Sequence, residues 1–272
     1  MFKSVIVAIS VILIATGCQN ASNPLDPQAN SLGQLMNLST SHPMKPFLDR
    51  YSAVGVVGVV DLFKNRYSIY NGNNPQPVDT TTYSAVATIR KASNLNQGAV
   101  MENLWVNTGL LVPFDVGQYR WEVAQPSSRT VNFGSGWNLV KADTGPDYPA
   151  FRDSVQFGSA IVMTNTTRGT TISKASNYTI SWSGSGTDFV EVSLLRDAIE
   201  VDPTYPGAQG IMKFADNTGT VTLNASELGA LPNGRYDLSV TQYEPKYVTM
   251  PGGKKLVVLG RSEHEVTVTI SN

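Results

Sequence analysis

The chain has 272 residues, with 20 Lys and Arg against 21 Asp and Glu, and only 15% of its residues are charged. So neutral a chain, without a basic block, lacks the positive surface that nucleic acid requires, and it would not be drawn to anionic lipid headgroups. Because there is a single cysteine, no intramolecular disulfide can form, and apolar cores alone must stabilise the fold.

The N-terminus begins with a short segment that carries one positive charge, Lys3, and continues as an apolar run over residues 5–15. This run is shorter than the roughly 20 residues that a membrane-spanning helix needs, and its length is typical of a signal peptide. Small residues follow it, directly before Cys18. One alternative is an ordinary secretory peptide that is cut at another small residue, in which case Cys18 has no role.

The segment IATGC, residues 14–18, resembles the lipobox of bacterial lipoprotein precursors. The resemblance implies that residues 1–17 are removed and that a lipid on the Cys18 thiol anchors the mature chain to a membrane of the cell envelope. Ala15 stands where leucine is more usual in that family. Gln19, in place of an aspartate, implies export to the outer membrane if the organism has one.

Residues 18–46 are predicted to form a flexible tether, since they are rich in Asn, Ser and Pro and lack apolar periodicity. Within them, residues 32–38 could form a short helix. A spacer of this kind would hold the folded part of a lipidated protein away from the membrane.

Residues 47–140 are predicted to be a first β-sandwich-like module. Residues 53–63 form a β-branched run typical of a buried strand, and Gly55 and Gly58 within it indicate a bulge or close packing. Residues 107–109 are a plausible hairpin turn. The remaining strands of this module are expected at residues 80–90, 104–112, 117–123 and 131–140.

Residues 141–155 include a stretch rich in Pro, Gly and Asp without periodicity, and we place the linker between two modules there. The second module is predicted to span residues 156–272. Its strands are expected at residues 178–182, 189–195, 220–223, 236–240, 255–259 and 266–270, with one helical turn at 225–229. Short strands separated by turn signals predict an all-β fold made of β-sandwiches.

Residues 117–123 (GQYRWEV) and 234–240 (GRYDLSV) share the pattern Gly-x-Tyr-x-apolar-x-Val. The pattern resembles the late strand of immunoglobulin-like and fibronectin-type modules, where a tyrosine begins the strand and its hydroxyl braces a neighbouring turn. The resemblance implies two immunoglobulin-like β-sandwich modules, in the second of which Tyr236 braces the module from inside. The turn before Tyr236 is residues 231–233.

Few groups in the sequence could carry catalysis. His42 lies in the tether, and His264, between Glu263 and Glu265, has no second histidine at the spacing of a zinc protease. We expect His264 to be a surface residue. Neither Gly-Ser-Gly segment has the form of a nucleophile elbow.

Two groups of loop carboxylates could act as a pair in glycoside hydrolysis or bind calcium. Neither has the alternating spacing of a calcium loop, so solvated loop residues are the simpler interpretation. We therefore predict no catalytic residue, no metal and no cofactor. The two groups are Asp143, Asp147 and Asp153, and Asp197, Glu200 and Asp202.

The four tryptophans divide into two kinds. Trp121 and Trp182 alternate with apolar neighbours and are predicted to be core residues. Trp105 and Trp137 lie in Asn-rich or turn surroundings and are freer to face solvent. Because an exposed indole can stack on the apolar face of a sugar ring, Trp105 and Trp137 are the candidate ligand-binding residues.

Two functions remain open on the sequence. The first is a lipid-anchored structural or interaction protein of the cell envelope, without catalytic activity, whose partner is another envelope protein. The second is a carbohydrate-binding surface lipoprotein that assists polysaccharide capture. Exposed aromatic residues in a groove would favour the glycan, whereas flat polar faces or an open strand edge would favour protein contacts.

Overall fold

The computed structural model describes residues 30–31, 39, 41–53, 55–69, 78–121, 134–184, 189–198, 200–201, 203–205 and 207–272. The predicted signal peptide, Cys18, and most of the predicted tether with its possible helix at 32–38 lie outside the described residues. The described chain is nearly all β-structure, which confirms the predicted fold class.

Eighteen strands and two short helices are present in the described residues. The strands are β1 Asn30–Ser31, β2 Ser52–Ala53, β3 Val56–Ile69, β4 Val78–Lys91, β5 Asn94–Gly98, β6 Glu102–Val106, β7 Gly109–Asp115, β8 Gln118–Arg120, β9 Gly136–Asp143, β10 Phe151–Phe157, β11 Val162–Met163, β12 Thr171–Ser173, β13 Tyr178–Ser183, β14 Phe189–Arg196, β15 Gly210–Asp216, β16 Thr220–Leu223, β17 Gly234–Met250 and β18 Lys254–Ser271. The helices are α1 Lys45–Leu48 and α2 Ala225–Gly229, and a 3-10 turn at Pro251–Gly253 joins β17 to β18.

A long antiparallel hairpin, formed by β17 and β18, is the central element of the fold. The two strands pair without a break from Gly234 opposite Ile270 to Met250 opposite Lys254. A strand of 17 residues is about 55 Å long at the usual rise per residue. The segments 255–259 and 266–270, predicted as two separate strands, are therefore parts of one strand.

The second half of the chain forms a two-layer sandwich around the base of this hairpin. One sheet has the order β11-β13-β16, and the facing strands are β15, β14, β17 and β18, with β12 parallel to β18. Two antiparallel layers connected in this way have the architecture of an immunoglobulin-like sandwich. The fully buried members of its core include Ile172, Ile180, Val190, Val192, Leu194, Leu223, Leu228, Tyr236, Leu238, Val240 and Ile270.

The first half of the chain is a sheet that folds back on itself, in the order β10-β9-β6-β7-β8-β4-β3-β18-β17. The backbone N–H of Thr249 in β17 donates to the Asp153 carboxylate in β10 over 2.9 Å, so the two ends of the sheet meet. The enclosed core includes Val60, Leu62, Ala85, Ala87, Ile89, Leu104, Val106, Leu111, Val140, Val248, Leu256 and Val258. The first module is therefore completed by the C-terminal hairpin and does not consist of residues 47–140 alone.

Both cores lie on the same face of the long hairpin. Its even-numbered residues point into the second core near Tyr236 and Leu238, and into the first core near Val248 and Leu256. This follows from the alternation of side chains along an unbroken strand. The two modules thus share one structural element instead of being joined by a linker.

Residues 141–155, predicted as the linker, are instead the end of β9, a tight connection and most of β10. The two strands pair in register, with Phe151 opposite Ala142. The Pro, Gly and Asp composition marks the connection between them, in which the N–H of Gly145 donates to the Tyr148 carbonyl over 2.9 Å. Turn residues of this kind do not distinguish a hairpin loop from a domain boundary.

The chain crosses from the first half to the second at residues 158–163, over the middle of the hairpin. The backbone N–H groups of Gly158, Ile161 and Met163 donate to side chains of the hairpin over 2.8, 2.9 and 2.9 Å. The acceptors are the Glu244 carboxylate, the Ser262 hydroxyl and Nδ1 of His264. His264 is therefore buried and structural, which corrects the expectation of a surface histidine.

The end of the predicted tether belongs to the fold. Met44 and Leu48 are buried beside Val257 and Leu259, on the opposite face of the hairpin from the two main cores. The ring of Phe47 lies 5.1 Å from that of Phe189. Apolar residues at positions i, i+3 and i+4 form one face of the short helix α1, so the predicted tether does not extend to residue 46. Strand β1, also within the predicted tether, pairs with β2.

The predicted irregularity near Gly58 is confirmed. The pairing of β18 with β3 shifts in register between Lys255 and Leu256, opposite this glycine. A Cβ atom at Gly58 would lie 2.6 Å from the carbonyl oxygen of Thr88. Only glycine permits so close an approach of the neighbouring strand.

Candidate functional site

Alternate side chains of strand β9 point outward from the first module. Its residues 138, 140 and 142 are buried, whereas Trp137, Leu139, Lys141 and Asp143 point away from the core. In the neighbouring strand β10, Gln156 lies opposite Trp137 and Arg152 lies opposite Lys141. The pairing of β9 with β10 and β6 thus assembles a continuous outer surface.

We call this surface the tryptophan face. Its members are Trp105 of β6, Trp137, Leu139, Lys141 and Asp143 of β9, and Arg152, Ser154 and Gln156 of β10. Both sequence-predicted candidates, Trp105 and Trp137, therefore lie on one side of one sheet. That they bind a ligand stays a prediction.

Trp137 is the most exposed large apolar side chain on this face, with 73% of its surface accessible. The next residue, Asn138, is buried, and its amide donates to the carbonyl oxygens of Gly134 and Gly136, each over 3.0 Å. The Asn138 side-chain oxygen accepts from the amide of Asn107 over 3.2 Å. These bonds fix the start of β9, so the indole is exposed on a firmly held strand.

Trp105 is half-buried, and the ammonium group of Lys141 lies 4.9 Å from the centre of its ring. Arg152 is exposed and directly opposite Lys141. No carboxylate of the described chain forms an ion pair with Lys141 or Arg152. The tryptophan face therefore carries two neighbouring positive charges beside aromatic rings, and at the end of β9 the carboxylate of Asp143, which accepts from the Asn103 amide.

The other two tryptophans are core residues, as predicted. Trp182 is buried, and its indole N–H donates to the side-chain oxygen of Asn217 over 2.9 Å. Trp121 is partly buried against the first core.

The predicted role of Tyr236 is confirmed. Its side chain is fully buried, and its hydroxyl donates to the carbonyl of Pro232, four residues earlier, over 2.9 Å. Tyr119, the matching residue of the first module, is also buried, and its hydroxyl accepts from the N–H of Met101 over 2.7 Å. Burial raises the pKa of both phenols.

The carboxylates considered for catalysis or calcium binding have structural partners. Asp143 accepts from the side-chain amide of Asn103 over 2.9 Å. The N–H of Val100 and, secondarily, the ammonium of Lys91 hold the pKa of Asp147 below its usual value. These groups brace loops and do not converge on a common point.

The second carboxylate group is likewise committed to the backbone and to an arginine. Asp197 is buried and forms an ion pair with Arg235 over 2.7 Å. The carboxylate of Glu200 accepts from the N–H of Arg235, also over 2.7 Å. Asp202 lies outside the described residues.

A row of carboxylates that the sequence did not single out lies on the opposite face of the hairpin from the second core. Glu263 accepts from the Thr241 hydroxyl and Asp237 from the Thr267 hydroxyl. Burial, together with the nearby carboxylates of Glu263 and Asp237, raises the pKa of Glu265 to about 7. The only sequence signal for this row of carboxylates was the segment Glu263-His264-Glu265, since alternation along a strand places its two carboxylates on the same face.

No three His, Cys, Asp or Glu side chains of the described chain are grouped so as to hold a metal ion. No helix in that part of the chain is long and apolar enough to cross a bilayer. A cleft at the crossing of the two halves has a cavity volume of about 30 Å³, enough for a water molecule or two but not for a sugar ring. Its lining includes Lys64, Phe157, Gln242, Glu244 and Arg261.

No protein-family model matches the chain, and no curated protein matches it. A similar solved structure is the crystal structure of DIP-gamma IG1+IG2, which is 9% identical, with 78% of this chain and 98% of that chain covered and a TM-score of 0.21. Another is a tetra-tandem repeat in the extending region of a large adhesion protein, 12% identical, with 76% and 49% covered and a TM-score of 0.19. The fold is defined here by strand pairing, and these distant likenesses add nothing to function.

Proposed function

We propose that this chain is a lipid-anchored, non-catalytic interaction protein of the cell envelope, and that the tryptophan face is its contact surface. The observation that carries the proposal is Trp137, which is 73% exposed on a strand held by the bonds of Asn138. An indole presented in this way contributes little to the core, so contact with another molecule gives a reason for its position.

The composition of the face supports the proposal. Tryptophan and arginine are the residue types that most often carry the binding energy of interfaces. Trp137 and Arg152 lie on the adjacent strands β9 and β10, and Trp105 is held against Lys141. The polar neighbours Ser154 and Gln156 are exposed and can donate and accept hydrogen bonds at the margin.

The proposed anchor is a lipid on Cys18. Residues 19–29 separate it from Asn30, where strand β1 pairs with β2. A spacer of that length would let the folded part extend from the membrane. The proposed location is therefore the cell envelope, in the outer membrane if the organism has one.

We expect Cys18→Ser to abolish membrane attachment, because the hydroxyl cannot replace the thiol that carries the lipid. The variant should take up no labelled palmitate and should accumulate as an unprocessed precursor or a soluble product. Asn20→Ser, which leaves the thiol in place, is the matched control and should behave like the parent chain. A serine variant that is labelled and fractionates with membranes as before would show that Cys18 is not the anchor.

The contact surface can be tested by photo-crosslinking in the cells that make the protein. A photoreactive amino acid at position 137 should give an adduct of reduced electrophoretic mobility. The same amino acid at position 212 should not, although Met212 is also exposed, because it lies in the second half of the fold, on β15. Equal adducts from both positions, or none from position 137, would contradict the proposal.

A further inference from the structure

We propose that the ligand of the tryptophan face is an anionic polysaccharide, with a sugar ring stacked on Trp137 and an acidic group bound by Arg152 and Lys141. This inference rests on the proposed function, and it names the chemistry of the ligand. It is carried by the pairing of two cations beside an exposed indole.

The positions of Arg152 and Lys141 destabilise the protein in the absence of a ligand. Arg152 and Lys141 are directly opposite each other in the β9–β10 ladder, and like charges in that relation destabilise a sheet. Neither has an ion-pair partner among the described carboxylates. An anion bound between them would remove the repulsion, and the planar guanidinium of Arg152 suits a carboxylate or a sulfate.

Trp105 holds the side chain of Lys141 in place beside Arg152. Its ring lies under the Lys141 ammonium at 4.9 Å, a cation–π contact that orders a long, flexible side chain. Trp105 is therefore a positioning residue for the anion, and Trp137 is the residue that touches the sugar. The sequence-level expectation gave both indoles the same role.

The span of the site favours a chain-like ligand. Trp137 and Lys141 are four residues apart on β9, which corresponds to about 13 Å along the strand. The side chains between them are Leu139 and, across the ladder, Ser154, and neither blocks the surface with a charge. A monosaccharide cannot reach both ends, whereas an oligomer that runs along the strand can.

The size of the face does not favour a folded protein partner. Three strands and five residues give a flat area on the order of 150 Å² from the usual strand spacing and rise. A stable protein interface needs about 800 Å² on each partner.

The test uses the purified full chain in detergent and four defined polymers. Polygalacturonate supplies carboxylates and dextran sulfate supplies sulfates, while dextran and pullulan are neutral. We expect binding to one or both anionic polymers, none to the neutral ones, and a marked weakening of binding at about 0.5 M salt, where the screening length is a few ångströms. The anionic polymer that binds more tightly identifies the acidic group.

Variants separate stacking from charge. Trp137→Ala, Arg152→Gln and Lys141→Gln should each weaken binding at least about tenfold, as expected for loss of a charge-assisted or stacking contact, with the melting temperature little changed. Met212→Ala, exposed in the second half of the fold, should leave affinity unchanged. Failure of both anionic polymers to bind, equal binding of dextran, or binding unaffected by Arg152→Gln and Trp137→Ala would overturn the inference.

Failure of the inference can be told apart from failure of the proposed function. If the protein binds no anionic polymer and proteases degrade the adduct from position 137, the tryptophan face is still the interaction surface. Its partner is then a protein and not a glycan. An adduct that polysaccharide-degrading enzymes remove would support the glycan.

Discussion

Replacing Tyr236 with alanine is expected to destabilise the chain by about 3–5 kcal/mol, the range measured for removal of large buried aromatic side chains. Tyr236 is fully buried in the second core. The substitution removes the ring and leaves a cavity between β17 and the facing sheet. It also leaves the carbonyl of Pro232 without its hydrogen bond.

Tyr236→Phe is the matched control, since it keeps the ring and removes only the hydroxyl. Its effect should be about 0.5–1.5 kcal/mol, the usual net contribution of one hydrogen bond. Urea denaturation followed by circular dichroism measures both variants. Small and equal effects would mean that the tyrosine does not brace the second module from inside.

The second large effect is expected from the shared hairpin. Leu238 lies in the second core and Leu256 in the first, and both are fully buried. Leu238→Ala and Leu256→Ala should each lower the free energy of unfolding by about 2–5 kcal/mol, as for other buried leucines. Because both leucines belong to the same pair of strands, the whole chain should unfold in a single transition, and each variant should shift that transition.

An exposed residue of similar size provides the control for these two variants. Met212→Ala should change stability by less than about 0.5 kcal/mol, as is usual away from cores. A biphasic denaturation curve, in which Leu256→Ala moves one phase and Leu238→Ala the other, would contradict the prediction.

The strands of the second module were predictable from the sequence because one face of each is buried and the other is solvated. Residues 178–182 and 236–240 alternate apolar and polar side chains, which is the pattern of a half-buried antiparallel strand. The role of Tyr236 was predictable for a related reason, since a glycine, a tyrosine and a preceding turn at 231–233 are local features.

The length of the hairpin was not predictable in the same way. Between the two cores, β17 and β18 carry polar side chains, such as Glu244 and His264, that point into the crossing segment and accept its backbone N–H groups. These side chains interrupt the apolar alternation, so a continuous strand resembles two short ones. The completion of the first core by Leu256 likewise depends on contacts that are distant in sequence.

The tryptophan face was predictable only in part. The turn before Trp137 indicated an exposed indole, whereas the role of Arg152 depends on its register opposite Lys141. Arg152 lies in the stretch predicted as a linker, where no strand was expected. Strand register is set by long-range pairing and turn geometry, and neither can be read from the composition of residues 141–155.

We expect the first and second cores to unfold as one cooperative unit built on the β17–β18 hairpin. Amide hydrogen exchange of the native protein tests it directly, with Ala87 as the probe of the first core and Val192 as the probe of the second. Amides that exchange only on global unfolding report the same free energy. We therefore expect equal values at Ala87 and Val192, and an equal decrease at both in Leu238→Ala, whereas a decrease at Val192 with Ala87 unchanged would contradict the claim.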